Sequence, residues 1–167
     1  MFRKAVRVAE VYGIRMAIEN HIDFNGQEML SLLRSVDSPF LGINFDTGNF
    51  LRLLDDPVQA MEALAPYTYA THIKDLRIQH GVPANEWYFF SSVPVGDGVV
   101  DNAKLIEKLR RTGFNGILAV EMDFLHPDYS NDEHAAVVAS VNELRRLVAQ
   151  PTAAGATVGG LIPPGPS

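Results

Sequence analysis

The chain contains no cysteine, so neither disulfide bonds nor thiolate chemistry is available to it. It also lacks an excess of positive charge, since 14 lysines and arginines face 20 aspartates and glutamates, for a formal net charge of −6. That balance argues against nucleic acid and anionic membranes as partners. No apolar run has signal-peptide length or approaches the roughly 20 residues of a membrane span. We therefore expect a cytoplasmic protein with no nucleic-acid or membrane partner.

Hydrophobic residues make up 47% of the 167 residues, which is enough for one packed domain. Helical and apolar strand patterns alternate, and such alternation predicts a parallel sheet with right-handed crossovers. We predict an α/β fold with a parallel (βα)₄ unit over residues 1–149 and a disordered tail over 150–167. A closed (β/α)₈ barrel needs about 250 residues and eight strands, and this chain has about half of each. Strands are predicted at 14–19, 40–46, 68–73 and 117–121, and helices at about 2–12, 26–36, 56–65, 101–113 and 132–149.

Each predicted strand ends in a side chain that can bind a metal: Glu19, Asp46, His72 and Glu121. In parallel α/β folds, ligands and catalytic groups lie at the carboxyl ends of the strands. Three carboxylates and one imidazole suit Mn²⁺, Mg²⁺, Co²⁺ or Zn²⁺. The alternative is four unrelated polar residues capping four strands. Equivalent positions in four successive units favour one shared divalent-metal site.

Further polar residues follow these strand ends. We expect four of them to lie on loops above the sheet and to hold substrate, although ordinary solvated loop polarity would give the same pattern: His21, Asn49, Lys74 and Arg77. A long polar and aromatic connection runs from about 75 to 100, and connections of this length are usually functional or poorly ordered. Its Gly96-Asp97-Gly98 segment fits a turn better than a substrate contact. Its aromatic run at 87–90 fits either a pocket wall or packing against a missing part of the barrel.

The sequence resembles the xylose-isomerase-like TIM-barrel family of sugar (phosphate) isomerases and epimerases from about residue 3 to 148. The resemblance is carried by Ala-Ile-Glu-Asn-His at 17–21, Gly-Ile-Asn-Phe-Asp-Thr-Gly-Asn at 42–49, His-Ile-Lys-Asp at 72–75, Val-Gly-Asp-Gly at 95–98 with Asp101, and Gly-Ile-Leu-Ala-Val-Glu at 116–121. It implies a divalent metal held by Glu19, Asp46, His72 and Glu121, with both glutamates also transferring protons. The family's ketose 3-epimerases usually carry a substrate-binding histidine where this chain has Asn49.

The resemblance also implies chemistry. Isomerisation and epimerisation of a sugar or sugar phosphate remove a proton next to a carbonyl, and a divalent cation stabilises the resulting enediolate as a Lewis acid. Three alternatives remain open: a dehydratase of a keto-cyclitol, a metal-dependent phosphodiesterase or AP endonuclease, and a catalytically inactive half-barrel. The endonuclease would need more histidine ligands and a basic groove, which the net charge opposes.

Only the last four of the family's eight strands are predicted here. The chain is therefore expected to be a fragment, a truncated product, or one partner of a split or homo-oligomeric barrel. Glu19 and Glu121 end the two outermost strands, so we expect only barrel closure to bring them around one ion. On this argument the isolated chain should be weakly stable, self-associating and poor at binding metal.

Overall fold

The computed structural model describes residues 1–150, so all but one residue of the predicted tail lies outside the described part. Over those residues, strands and helices alternate as the hydrophobic pattern predicts. The strands are β1 (Met16–Glu19), β2 (Leu41–Asp46), β3 (Thr68–Ile73), β4 (Asp75–Ile78), β5 (Phe90–Val93) and β6 (Leu118–Val120). The α-helices are α1 (Phe2–Tyr12), α2 (Gly26–Val36), α3 (Pro57–Leu64), α4 (Asn102–Arg111) and α5 (Glu133–Ala149).

Four strands form one parallel sheet in the order β1-β2-β3-β6. This confirms the predicted parallel (βα)₄ arrangement. The first strand starts two residues later than predicted, because Gly13 ends α1 in the left-handed conformation and Ile14 N–H still donates to the carbonyl of Ala9. At the other edge Glu121 follows β6, and its N–H continues the ladder by donating to Ile73 O at 3.1 Å.

Side-chain caps fix where four of the helices begin. Asn25 accepts the N–H groups of Gln27 and Glu28 and forms a capping box before α2. Three aspartates accept a backbone N–H at the starts of α3, α4 and α5: Asp56, Asp101 and Asp132. The caps therefore set the lengths of the loops at the carboxyl edge of the sheet.

The long connection between β3 and α4 contains regular secondary structure, so the expectation that it is poorly ordered is wrong. Its ends, β4 and β5, pair antiparallel, with Asp75 opposite Val93 and Ile78 opposite Phe90. The hairpin stands at the carboxyl edge of the sheet because β4 begins two residues after β3 ends. A short 3₁₀ turn over Trp87–Phe89 leads into β5.

The core lies between one face of the sheet and the helices. Leu41, Ile43 and Phe45 of β2 pack against apolar residues of α2 and α3. Ile73 of β3 packs in a second cluster with residues of α4 and α5, such as Leu144. Side chains alternate along a strand, so the positions between these core residues lie on the opposite, inner face. Among residues 1–150, no helix has the length and apolarity needed to cross a membrane.

Candidate metal centre

The structure brings Glu19, Asp46, His72 and Glu121 together at the carboxyl edge of the sheet. One potential ligand atom from each lies within 4.8 Å of all the others. The Nδ1 atom of His72 lies 2.5 Å from Glu121 Oε2, 3.4 Å from Glu19 Oε1 and 3.9 Å from Asp46 Oδ2. The expectation that only barrel closure would bring the two glutamates together is therefore wrong. The four-stranded sheet alone already places Glu19 and Glu121, at the ends of its outer strands, close to each other.

The Asp46 carboxylate is oriented by its own turn. Its Oδ1 accepts the backbone N–H groups of Gly48 at 2.8 Å and Asn49 at 2.9 Å. Its Oδ2 is thereby left facing the other ligand atoms. Burial raises the pKa of Asp46 from its ordinary value, against the charge of Lys74 and these two N–H groups.

Asn20, which the sequence analysis did not single out, joins the ends of β1 and β2. Its Oδ1 accepts the N–H of Asp46 at 2.8 Å, and its Nδ2 donates to Asp46 O at 3.0 Å. Asn49 donates to Asn20 O at 3.1 Å and is fully buried. The Asn49 side chain thus supports the ligand strands, and its predicted contact with substrate stays a prediction. The sequence signal that could have identified Asn20 was an amide residue directly after Glu19.

Three buried atoms of the cluster lie close together: Asp46 Oδ2, His72 Nδ1 and Glu121 Oε2. His72 Nδ1 lies 2.5 Å from Glu121 Oε2, and the ammonium group of Lys74 lies 3.0 Å from Asp46 Oδ2. Buried carboxylates need compensating positive charge, and the single ammonium group of Lys74 is shared among the carboxylates of Asp46, Asp123 and Glu121. Carboxylate oxygens and a neutral imidazole nitrogen are ligands that divalent cations accept. The donor set and its orientation therefore fit a divalent cation.

Lys74 lies inside this cluster and not on an exposed loop as expected. Its Nζ is 3.0 Å from Asp46 Oδ2, 3.0 Å from Asp123 Oδ2 and 3.6 Å from Glu121 Oε2, and its side chain is 2% exposed. Burial alone would lower the pKa of Lys74, but the charges of Asp46 and Asp123 outweigh burial and raise it. The sequence analysis did not identify Asp123, because no local pattern indicates its contact with Lys74, 49 positions earlier in the chain.

An aromatic wall borders the cluster. The ring of His21 stacks on Trp87 with centroids 4.9 Å apart and planes inclined by 12°. The Arg52 guanidinium covers the Trp87 ring at 3.8 Å from its centroid and donates to the carbonyls of Trp87 and Phe90. This wall, defined by His21, Trp87 and Arg52, fixes the 3₁₀ turn of the hairpin beside the end of β1.

The Gly96-Asp97-Gly98 turn wraps around Asp75. The Asp75 carboxylate accepts the N–H groups of Gly96 at 2.9 Å, Gly98 at 3.0 Å and Val100 at 3.0 Å. Arg77 extends from the same strand, donates to Asp97 O at 2.8 Å and lies 3.4 Å from Asp128. Arg77 is partly exposed on the rim, and its predicted contact with substrate stays a prediction.

Comparison with known proteins gives the family. Residues 1–147 match the family described as "xylose isomerase-like TIM barrel", and the chain belongs to that family. Its relatives include an uncharacterized protein, MJ1311, of Methanocaldococcus jannaschii, which is 27% identical over 70% of this chain and 39% of its own length. A 3-oxo-isoapionate decarboxylase of Pectobacterium atrosepticum is 30% identical over 60% of this chain and 36% of its own. An inosose dehydratase of Bacillus thuringiensis is 24% identical over 70% and 43%.

Solved structures agree on the fold. A xylose isomerase domain protein from Planctomyces limnophilus matches 87% of this chain and 49% of its own, with a TM-score of 0.69 and 23% identity. An IOLI protein with a bound zinc atom matches 88% and 53%, with a TM-score of 0.66 and 18% identity. A family member from Mycobacterium smegmatis in complex with magnesium matches 83% and 48%, with a TM-score of 0.58 and 25% identity.

The chain spans about half the length, or less, of the relatives that it matches. The four-stranded sheet therefore corresponds to half of the family's barrel. The family includes enzymes, among them the dehydratase and the decarboxylase named above.

Proposed function

We propose that this chain supplies the metal-binding half of an enzyme that removes a proton next to the carbonyl of a sugar or sugar phosphate, as in isomerisation or epimerisation. The observation that carries the proposal is the convergence of Glu19, Asp46, His72 and Glu121. These four residues would hold the divalent cation. When bound, the cation would supply Lewis-acid stabilisation of the negative charge that develops on the carbonyl oxygen.

Exposure separates the carboxylates by role. The side chains of Glu19 and Glu121 are 35% and 32% exposed, whereas that of Asp46 is fully buried. Of the three candidate ligand carboxylates, only those of Glu19 and Glu121 are accessible to a substrate at the carboxyl edge of the sheet. Glu19 ends one outer strand and Glu121 directly follows the other, so one carboxylate would remove the proton and the other would return one from the opposite side.

The residues around the cluster provide the remaining functions of a substrate site. The stacked rings of His21 and Trp87 offer a flat border for a sugar ring. Arg77 on the rim is a charged donor for a hydroxyl or phosphate oxygen. Lys74, enclosed by carboxylates, would keep the charge of the centre balanced. Its predicted contact with a substrate oxygen would require Asp123 or Glu121 to share it.

Dehydration of a keto-cyclitol is a second candidate function, supported by the likeness to inosose dehydratase. The first step is the same proton removal next to a carbonyl. The reactions then differ, because a dehydratase expels a neighbouring hydroxyl as water where an epimerase returns a proton. The accessible pair Glu19 and Glu121 would serve either outcome, with one acting as base and the other as acid.

Proton exchange with solvent tests the proposal directly. The chain, assembled with the half that completes its barrel, would be incubated with Mn²⁺ in D₂O with a panel of ketoses, ketose phosphates and keto-cyclitols. Exchange next to the carbonyl would be followed by proton NMR. We expect Mn²⁺-dependent exchange with at least one compound and none with Asp46→Ala. Loss of water from the compound would select the dehydratase. Failure of the protein to bind Mn²⁺ would leave only a non-catalytic half-barrel.

A further inference from the structure

We propose that Asn44 is a positioning residue for His72. Its side-chain oxygen accepts the Nε2–H of the imidazole, so that Nδ1 presents its lone pair to the three carboxylates. This inference rests on the proposed metal centre and adds a residue to it that is not a ligand.

The backbone places Asn44 beside the ring. Asn44 lies two residues before Asp46 on β2, so both side chains are on the inner face of the sheet. In the parallel register Asp46 pairs with His72, and Asn44 pairs with Ala70, which lies two residues before His72. The side-chain amide of Asn44 comes within 3.1 Å of His72 Nε2.

The ring nitrogens of His72 have different surroundings. Nε2 has the amide of Asn44 as its hydrogen-bond partner, whereas Nδ1 faces carboxylates, 2.5 Å from Glu121 Oε2 and 3.4 Å from Glu19 Oε1. A neutral imidazole carries one N–H and one lone pair. A metal-binding Nδ1 needs the lone pair, so the hydrogen of the ring must be on Nε2.

The unpaired oxygen of Asn44 gives an independent indication of the same arrangement. In the structure Nδ2 faces the ring, and Oδ1 is buried without a hydrogen-bond partner. A half turn of the amide exchanges these two atoms at little cost. The oxygen then accepts Nε2–H, and both the buried oxygen and the ring hydrogen gain a partner. With Nδ2 donating instead, the ring hydrogen would sit on Nδ1 and point at the carboxylates.

No other inner-face side chain of the described sheet can replace Asn44 in this contact. The positions two residues before the other three ligands are occupied by alanines, Ala17, Ala70 and Ala119. They provide room for the ring but no acceptor. Removing the amide would therefore leave the Nε2–H without a protein partner.

Two substitutions of the same shape separate the roles of the amide. Asn44→Leu has neither donor nor acceptor, and Asn44→Asp has only acceptors. Partners that orient a metal-binding histidine typically contribute about 10–100-fold to metal affinity. We expect Asn44→Leu to weaken Mn²⁺ binding by about that factor in isothermal calorimetry, and Asn44→Asp to bind at least nearly as tightly as wild type. Equal losses in both variants would show that Asn44 donates, and an unchanged Asn44→Leu would show that it is irrelevant. Either result would overturn the proposal.

A metal-free readout separates this proposal from that of the metal centre. In ¹⁵N–¹H spectra the Nε2–H of His72, identified by its absence in His72→Gln, should exchange slowly with solvent in wild type and Asn44→Asp and rapidly in Asn44→Leu. This result in a protein that binds no Mn²⁺ would refute the metal centre and keep the Asn44 contact. Equally rapid exchange in all three proteins would refute the contact, whatever the affinity for metal.

Discussion

The ammonium group of Lys74 lies 3.0 Å from Oδ2 of Asp46, and both side chains are almost completely buried. A second carboxylate, that of Asp123, lies equally close to the same ammonium group. The positive charge of Lys74 is therefore part of the candidate metal centre. Removing one partner of a buried ion pair is strongly destabilising, because it leaves an uncompensated charge away from water.

Substituting this lysine should produce a metal-sensitive loss of stability. Lys74→Met is expected to lower the free energy of unfolding by about 3–5 kcal/mol without metal. The loss should shrink with saturating Mn²⁺, because the ion supplies positive charge beside the same carboxylates. Urea unfolding with and without Mn²⁺ measures both effects. The exposed pair of Lys104 and Asp101 offers a control, and Lys104→Met should show no dependence on metal. A loss from Lys74→Met that Mn²⁺ leaves unchanged would argue against a cation in this cluster.

Gly98 is required because the turn closes tightly on Asp75. A Cβ at Gly98 would lie 2.5 Å from Leu76 O and closer still to Asp75 Oδ1. Gly98→Ala is therefore expected to cost about 1–3 kcal/mol. Part of that cost should vanish in an Asp75→Ala background, because the contact with Oδ1 is gone while the contact with the backbone oxygen of Leu76 remains. Gly81→Ala, where a Cβ meets nothing within 4 Å, should cost the same in both backgrounds. Additive losses for Gly98→Ala would refute the steric explanation.

The cap of α4 should depend on pH. Asp101 has a pKa below its ordinary 3.8, first because Lys104 donates to it from its side chain and also because it accepts a backbone N–H. A lowered pKa adds stability that is present above about pH 4 and is lost as pH falls through the lowered value. Asp101→Ala should thus lower the free energy of unfolding by about 1 kcal/mol at neutral pH, and by less in acid. Asp101→Asn keeps a capping oxygen without the charge and should show little of this pH dependence. A loss that grows in acid would mean a raised pKa.

Much of the fold, and the clustering of the four candidate ligands, could be predicted from the sequence because both depend on local patterns. The apolar runs before Glu19, Asp46, His72 and Glu121 predict strands, and parallel strands place their carboxyl ends at one edge. The predicted sheet is therefore the observed one.

Contacts between distant segments were not predictable in this way. The hairpin of β4 and β5 was missed because its strands have four residues each and contain polar Arg77, Ser91 and Ser92. The contact of Asn44 with His72 joins residues 28 positions apart in the chain. The approach of Glu19 to Glu121 depends on the curvature of the sheet. Strand order alone suggested that the two residues, at the ends of the outer strands, would be far apart until the barrel closed.

Conservative substitution should separate the proton-transfer role of Glu19 and Glu121 from their role as metal ligands. Glu19→Gln and Glu121→Gln keep an oxygen that can bind the ion but cannot accept a proton at neutral pH. In a complete barrel, each variant should retain the fold and exchange the substrate proton with solvent about 10²–10⁴-fold more slowly than wild type. Glu28 is exposed, so Glu28→Gln serves as a control for the loss of one negative charge. It should exchange the substrate proton with solvent at the wild-type rate. Wild-type exchange rates in either active-site variant would contradict its role in proton transfer.

The inner face of the sheet indicates what completes the barrel. Below the ligands it carries Ala17, Asn44, Ala70 and Ala119. The interior of a TIM barrel is normally filled by layers of bulky side chains. In this layer two copies of the chain would contribute only six alanines and two asparagines. We therefore propose that the half that completes the barrel has a different sequence, with large inward side chains at this level. Homo-oligomeric closure of the barrel is therefore disfavoured.

The isolated chain should accordingly associate through its open edges without forming a discrete closed dimer. Ile14 and Ile117, beside the edge strands, are 59% and 79% exposed, and unpaired strand edges are templates for association. Sedimentation of the chain should show concentration-dependent, open-ended association. Ile117→Lys should suppress it, whereas Val137→Lys, on the outside of α5, should not. A tight two-subunit particle that survives Ile117→Lys would show that a second copy closes the barrel after all.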